Sequence, residues 1–227
     1  MATSSILDLS GVWKFCLDAD KAGIGEKYYG REFGDTIVLP GTTAEAHKGI
    51  HGDRKETGYL TEPYHFEGHA WYSRTLEIPE EHMGDLAQLV IERTRISYVW
   101  LDENFVGTQD SFATAHKYDL TEYLSRKVHK LTVMVSTVDN KTPGGQMTSP
   151  DTQTNWNGML GQIAIIFEPV VRVSDLCVLA SAELRSVEVK FNAQCCKSAI
   201  KGYREARETS GMYSVQAVIT CTALKHT

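Results

Sequence analysis

What this sequence of 227 residues lacks already narrows its class. No apolar stretch approaches the ~20 residues that span a bilayer. Met1-Ala2-Thr3-Ser4-Ser5 has neither the basic start nor the apolar run of a secretory leader. The chain as given is therefore expected to be soluble and unexported, with no membrane partner, although export of the native protein stays open. No Lys/Arg-rich run occurs, and Lys+Arg at 23 fall below Asp+Glu at 29 for a formal net charge of -6. Without a basic footprint to neutralise phosphates, nucleic acid is not an expected partner. Cys16, Cys177, Cys195, Cys196 and Cys221 are odd in number, scattered and without C-x-x-C spacing. Neither a disulfide framework nor a zinc ribbon follows, and they read as small half-buried side chains. There is no Gly-x-Ser-x-Gly elbow, phosphate-cradling glycine loop or dinucleotide fingerprint. Nucleophile-led hydrolysis and nucleotide chemistry have no visible seat, and no cofactor is expected.

What is present is period-two alternation. Trp13, Phe15 and Leu17 alternate with Lys14 and Cys16; Leu89 and Ile91 with Gln88, Val90 and Glu92; Leu131, Val133 and Val135 with Thr132, Met134 and Ser136. That is the signature of strands with one face on a core. Ile96–Leu101, Asp102-Glu103-Asn104 and Phe105-Val106-Gly107 read as a hairpin, because Asp and Asn tolerate the left-handed backbone of tight turns. Only Tyr118–Leu124 looks helical, with Asp119 or Thr121 as cap, for about two turns. Strands at short spacing without long amphipathic helices predict an all-β, antiparallel sandwich. Ile163–Phe167 closes it as an apolar strand, and Glu168-Pro169 marks a boundary, since proline cannot donate to a ladder. The predicted domains are 1–168 and 169–227. In the second, Val171–Leu179, Leu184–Phe191 and Tyr213–Thr222 again read as strands, but residues 170 to 227 fall short of the ~100 of an immunoglobulin-type sandwich, so that domain is read as partial.

Between Gly41 and His69, and between Asp139 and Gly161, alternation fails and long loops are predicted, of the size that carries function on a rigid scaffold. His47-x-x-x-His51 and His65-x-x-x-His69 have metal-like spacing, but both intervals contain glycine and fall in these loops. They are read as solvated histidines and no metal site is expected. Glu80-Glu81 and Asp102-Glu103 are read as solvated turn residues. The second loop is more informative: Thr137 to Gln146 and Ser149 to Gly158 gather acids, amides, hydroxyls and Trp156. A sugar offers dense hydroxyls on its edges and apolar C–H patches on its faces, which Asp, Asn, Gln and a flat aromatic suit. The alternative is that Trp156 plugs the end of the sandwich while the amides satisfy loop backbone.

Several blocks then point to a family. They are Leu9-Ser10-Gly11-Val12-Trp13-Lys14-Phe15, Val38-Leu39-Pro40-Gly41-Thr42 and Ala70-Trp71-Tyr72-Ser73-Arg74-Thr75-Leu76, followed by Val99 to Gly107, Tyr118 to Leu124 and Asn155 to Ile163. In this order, over roughly residues 6 to 168, the chain resembles the N-terminal sugar-binding, galactose-binding-like jelly-roll domain of glycoside hydrolase family 2, the β-galactosidases, β-glucuronidases and β-mannosidases. The resemblance implies that the region from Pro169 begins an immunoglobulin-like β-sandwich.

It also implies that the two catalytic Glu residues lie on a separate (β/α)₈ barrel, so this chain contributes no catalytic residue and should not hydrolyse glycosides alone. Its first domain would support that barrel and extend a loop residue to the glycoside. An acid shortly before an aromatic-x-Gly element plays that part in several members; here it falls on Asp151, with Asn155 as the alternative because the spacing departs slightly from the family's, ahead of Trp156-Asn157-Gly158. A second contact, from the loop before Trp71, would fall on Glu62 or Tyr64. The expected partners are thus a β-glycoside, a catalytic barrel and a second copy of the chain in a homo-oligomer. Competing readings are a stand-alone carbohydrate-binding module and a purely structural domain that touches no sugar.

Overall fold

The alternating segments form antiparallel strands in the computed structural model, which describes residues 4–52, 63–140, 156–169, 171–181, 186–195 and 213–222. In chain order come β1 (Ser5–Asp8), β2 (Gly11–Asp18), β3 (Asp35–Leu39), and the short β4 (Gly41–Thr42), β5 (Ile50–His51) and β6 (Tyr64–His65). They are followed by β7 (His69–Glu77), β8 (Leu86–Thr94), β9 (Ile96–Leu101), β10 (Asn104–Gln109), β11 (His116–Asp119), β12 (Val128–Ser136) and β13 (Gly158–Glu168). One sheet runs β1-β13-β8-β11, with β4 also on β13; the other runs β10-β9-β12-β7-β2-β3. Chain contacts divide the protein into two compact units, the larger made of Ser5–Met83 and Ala87–Phe167, the smaller taking in Glu168–Thr227. In the smaller unit β14 (Val171–Ser181), β15 (Ser186–Cys195) and β16 (Tyr213–Thr222) form an antiparallel sheet with β15 central. The all-β expectation holds. Among the described residues the helical pieces are short 3-10 turns at Tyr28–Gly30 and Glu80–His82, and no helix is long and apolar enough to cross a membrane.

The core of the larger unit lies between its two sheets. Trp13 and Phe15 of β2, Tyr72 of β7, Val99 of β9 and Val133 of β12 meet Leu89 and Ile91 of β8 and Ile163, Ile165 and Phe167 of β13. Each such side chain contributes roughly 1.5–3 kcal/mol on burial. Trp13 also has its polar end satisfied, Nε1 donating to the Leu9 carbonyl at 2.8 Å.

Alternation undercounts what the six-stranded sheet buries, because its other face is covered too. Trp71, Trp100 and Met134 point away from the main core and pack with Phe33, flanked by Tyr28 and Tyr29. The Tyr29 ring stacks on Trp100 at 5.3 Å, and Trp71 and Trp100 lie 5.2 Å apart with planes inclined by 32°. Asp18, buried at the end of β2, fastens this cover: its carboxylate accepts from the backbone N–H groups of Ala22 and Gly23 and from Trp71 Nε1. Cys16 packs half-buried here, whereas Cys177 is exposed, contrary to its reading as half-buried.

Two segments differ from expectation. Tyr118–Leu124 is not a two-turn helix: Tyr118 and Asp119 finish β11, paired with Leu89 and Gln88, and a single turn follows, closed by Tyr123 N–H to Leu120 O at 2.9 Å. Burial decides between the two periods, since Tyr118 and Leu120 are both inside with Asp119 exposed between them. Asp119 does cap, but it caps that turn, accepting the Thr121 N–H at 2.9 Å. The closing strand begins earlier than Ile163, at Gly158, with left-handed Gly161 (φ 70°) interrupting its alternation. The hairpin is present, with Asp102 and Glu103 as its left-handed turn (φ 47° and 69°) and Asn104 already in β10.

Candidate functional site

The site begins where the chain returns to β13. Residues 141–155 lie outside the described residues, and with them Asp151 and Asn155; Glu62 lies outside as well. Trp156 and Tyr64 are described.

Asn157 is completely buried, and both polar atoms of its side chain and its backbone carbonyl are hydrogen-bonded. Its Oδ1 accepts from Tyr72 Oη at 2.8 Å, its Nδ2 donates to the Val135 carbonyl at 2.9 Å, and its own carbonyl accepts the Thr43 N–H at 2.9 Å. Through its side chain and its backbone carbonyl, one residue thus ties the return strand to β7, to β12 and to the turn after β4. Burial also pushes the Tyr72 hydroxyl far above its ordinary pKa, so it stays a neutral donor. Gly158 follows with φ 150° and passes so close to β4 that a Cβ would stand 2.3 Å from the Gly41 carbonyl oxygen. Only glycine fits there. Thr94 Oγ1 donates to the Gly158 carbonyl at 2.7 Å.

Trp156, half-buried, is held by Arg95. The guanidinium carbon lies 4.7 Å from the centre of its ring and 5.2 Å from that of Phe112, and Nε donates to the Trp156 carbonyl at 3.2 Å. A guanidinium between two aromatic faces is favourable when desolvated, and Arg95 is 1 % exposed. Beside it on β9, buried Ser97 contacts His116 Nδ1 at 2.6 Å and Tyr118 Oη at 2.7 Å, while His116 Nε2 lies 2.8 Å from the Ser111 carbonyl. Burial lowers the His116 pKa against the opposing pull of that carbonyl and of Asp110, and burial pushes Tyr118 up to about 12. The neutral imidazole therefore donates through Nε2 and accepts the Ser97 hydroxyl proton at Nδ1.

Tyr64, on β6, stacks on His47 at 4.8 Å and meets His51 edge-on at 5.0 Å. His47 and His51 are exposed, as read; His69 is not a solvated loop residue but a buried strand residue of β7, with Nε2 at 3.0 Å from Asp139. Asp102 also departs from its reading: it is half-buried and bonds His129, Arg126 and the Lys130 N–H. Burial raises its pKa, but those bonds outweigh burial and the net shift is downward. Glu80 and Glu81 are exposed. Among the described residues no three His, Cys, Asp or Glu side chains gather as a metal would require.

Trp156 was legible from the sequence; the residues that hold it were not. Nothing local marks Arg95 as a buried clamp or Tyr72 as the partner of an amide 85 residues away.

A β-glucuronidase of Paenibacillus borealis is 26% identical over 160 residues, which are 69% of this chain and 25% of that protein. A β-glucuronidase of an uncultured Clostridium sp. superposes with TM-score 0.64 at 16% identity, over 98% of this chain and 40% of that one. The Ruminococcus gnavus β-glucuronidase in complex with D-glucuronic acid superposes with TM-score 0.61 at 17% identity, over 84% and 34%. The chain thus spans a quarter of that curated relative's length, and the structural likeness at such identities is one of fold. The sequence profile of glycosyl hydrolases family 2, sugar binding domain, matches residues 6–172, and the chain belongs to that family.

Proposed function

We propose that this chain is the non-catalytic N-terminal part of a β-glucuronidase-like glycosidase. Residues 1–168 would act as its sugar-binding jelly-roll domain and 169–227 as part of an immunoglobulin-like one. Its roles are to support a catalytic barrel carried by the whole enzyme and to bring side chains near Trp156, with Asp151 or Asn155, to the glycoside. Glu62 and Tyr64 form the second candidate contact.

The observation that carries this reading is the fixation of Trp156–Gly158. Asn157 and Arg95 together use buried polar groups to set a half-exposed aromatic at the end of a segment rich in acids and amides. A plug that only filled the sandwich end needs no such exposure. Supporting the family assignment are the two β-glucuronidase folds and the Paenibacillus borealis relative.

The test is a chimera in which this chain replaces the matching N-terminal part of the Paenibacillus borealis β-glucuronidase. It is expected to cleave p-nitrophenyl β-D-glucuronide, whereas this chain alone does not. Trp156→Ala and Asp151→Ala should raise KM about tenfold, the worth of one lost polar or stacking contact of ~1.4 kcal/mol. An active chimera whose KM is indifferent to both substitutions would leave only the structural role.

A further inference from the structure

We propose that Asn157-Gly158 is a site of spontaneous covalent modification that the fold keeps silent, and that its conversion in an opened chain bars return to the native state. It is the one Asn-Gly pair in the sequence. Glycine has no side chain to shield its backbone nitrogen, so in a flexible chain this pair reacts more readily than the other asparagine steps. The Gly158 nitrogen loses its proton and attacks Asn157 Cγ, Nδ2 leaves as ammonia, and a cyclic imide closes. Water then opens the imide at either carbonyl. The products are an acid at position 157, or an isomer whose backbone runs through the side-chain carbons. The net reaction consumes one water and releases one ammonia, with no oxidant or cofactor.

Both reacting groups are immobilised in the fold. The side-chain amide accepts from Tyr72 Oη at 2.8 Å and donates to the Val135 carbonyl at 2.9 Å, in a residue from which solvent is excluded. The nucleophile belongs to the peptide whose carbonyl accepts the Thr43 N–H at 2.9 Å, and the next carbonyl, of Gly158, accepts from Thr94 Oγ1 at 2.7 Å. Swinging Cγ onto the Gly158 nitrogen breaks the bonds to β7 and β12 together. Reaction therefore requires β13 to open from its neighbours, and its rate in the native protein reads the population of that opened state.

Neither product fits back at neutral pH. The acid keeps an oxygen for the Tyr72 hydroxyl but turns its other oxygen, where an N–H donor stood, against the Val135 carbonyl, which buries an unpaired charge. It regains the lost bond only by taking up a proton and donating to that carbonyl. The isomer adds a backbone carbon just before Gly158, where the chain passes so close to β4 that a Cβ would stand 2.3 Å from the Gly41 carbonyl oxygen. A reversible opening thereby becomes a one-way exit from the native state.

The experiment incubates the chain at mildly alkaline pH, folded in buffer and unfolded in concentrated urea, and follows position 157 by peptide-mapping mass spectrometry with enzymatic isoaspartate labelling. Conversion is expected in urea, and at least about 100-fold more slowly in buffer, the suppression that a mostly closed site imposes. Once urea is removed at neutral pH, unconverted chains should refold while converted ones stay in the non-native fraction on gel filtration. Tyr72→Phe removes one hold on the amide and should speed conversion in buffer about tenfold; if it does not fold, Thr94→Val, which frees the Gly158 carbonyl, takes its place. Asn157→Asp should lower Tm at neutral pH, with the deficit against wild type narrowing as pH falls toward the ordinary carboxylate pKa of about 4; if it does not fold, the fractionation supplies the same arm. Equal rates in buffer and urea, converted chains in the native fraction with unaltered Tm, conversion indifferent to the folded variant, or a deficit independent of pH would each overturn the assignment.

Discussion

Tyr72 and Asn157, 85 residues apart, share one buried hydrogen bond of 2.8 Å, and through it β7 fixes the start of β13. Tyr72→Phe keeps the ring but strands the Asn157 carbonyl oxygen. The expected loss is about 1–3 kcal/mol in chemical denaturation. The substitution also changes the alkaline limb. The hydroxyl's pKa is raised in the folded protein, so the folded state keeps a proton that the unfolded chain releases above about pH 10. Stability is full below that pH and falls as pH rises beyond it, and the fall should be shallower in Tyr72→Phe. Equal alkaline slopes would show that the hydroxyl is not buried.

Gly158→Ala should be among the most damaging single changes. It combines a left-handed φ with a Cβ 2.3 Å from a backbone oxygen that no rotamer change can relieve. A loss of more than about 2 kcal/mol is expected, read as a lowered Tm. A neutral outcome would mean that β4 and β13 do not approach as described.

Trp13→Ala removes a side chain that is 1 % exposed and faces the core between the sheets. The cavity and the lost transfer energy together should cost about 3–5 kcal/mol, measured by urea unfolding. An unchanged midpoint would place β2 with the opposite face inward.

His116 predicts an acid-side dependence. Its folded pKa lies below the ordinary value near 6.5, so at higher pH both folded and unfolded states are neutral and its contribution is intact. As pH falls below about 6.5 the unfolded chain binds the proton first, and stability declines until the folded pKa is reached. Between pH ~7.5 and ~5.5 the wild-type denaturation midpoint should fall more than that of His116→Gln. Parallel profiles would mean that the imidazole reaches solvent.

The sheet order was not legible in the sequence, but the strands of the core were, because their inward residues alternate and nothing else produces that period. Trp71, Trp100 and Met134 escaped for the complementary reason. They occupy the positions that alternation assigns to solvent, and only the return of Tyr28, Tyr29 and Phe33 over the sheet makes them interior. Tyr118–Leu124 misled because Leu120, Tyr123 and Leu124 mimic a helical face, while a partner strand remote in sequence supplies the ladder that makes Tyr118 extended. At the site, residue types announced Trp156; its clamp did not announce itself, since the aromatic faces that let Arg95 be buried come from Phe112 and Trp156, neither adjacent in sequence. Of the remaining sugar-contact candidates, Tyr64 packs with His47 and His51, and Asp151, Asn155 and Glu62 lie outside the described residues.

The skewed pair of Trp71 and Trp100 has an optical consequence. Indoles 5.2 Å apart and inclined by 32° share their excitation, so the far-ultraviolet circular dichroism of the chain should contain a bisignate couplet that disappears when either is replaced by Phe. The protein thereby carries its own label-free reporter of whether the aromatic cover over β7 and β9 is seated.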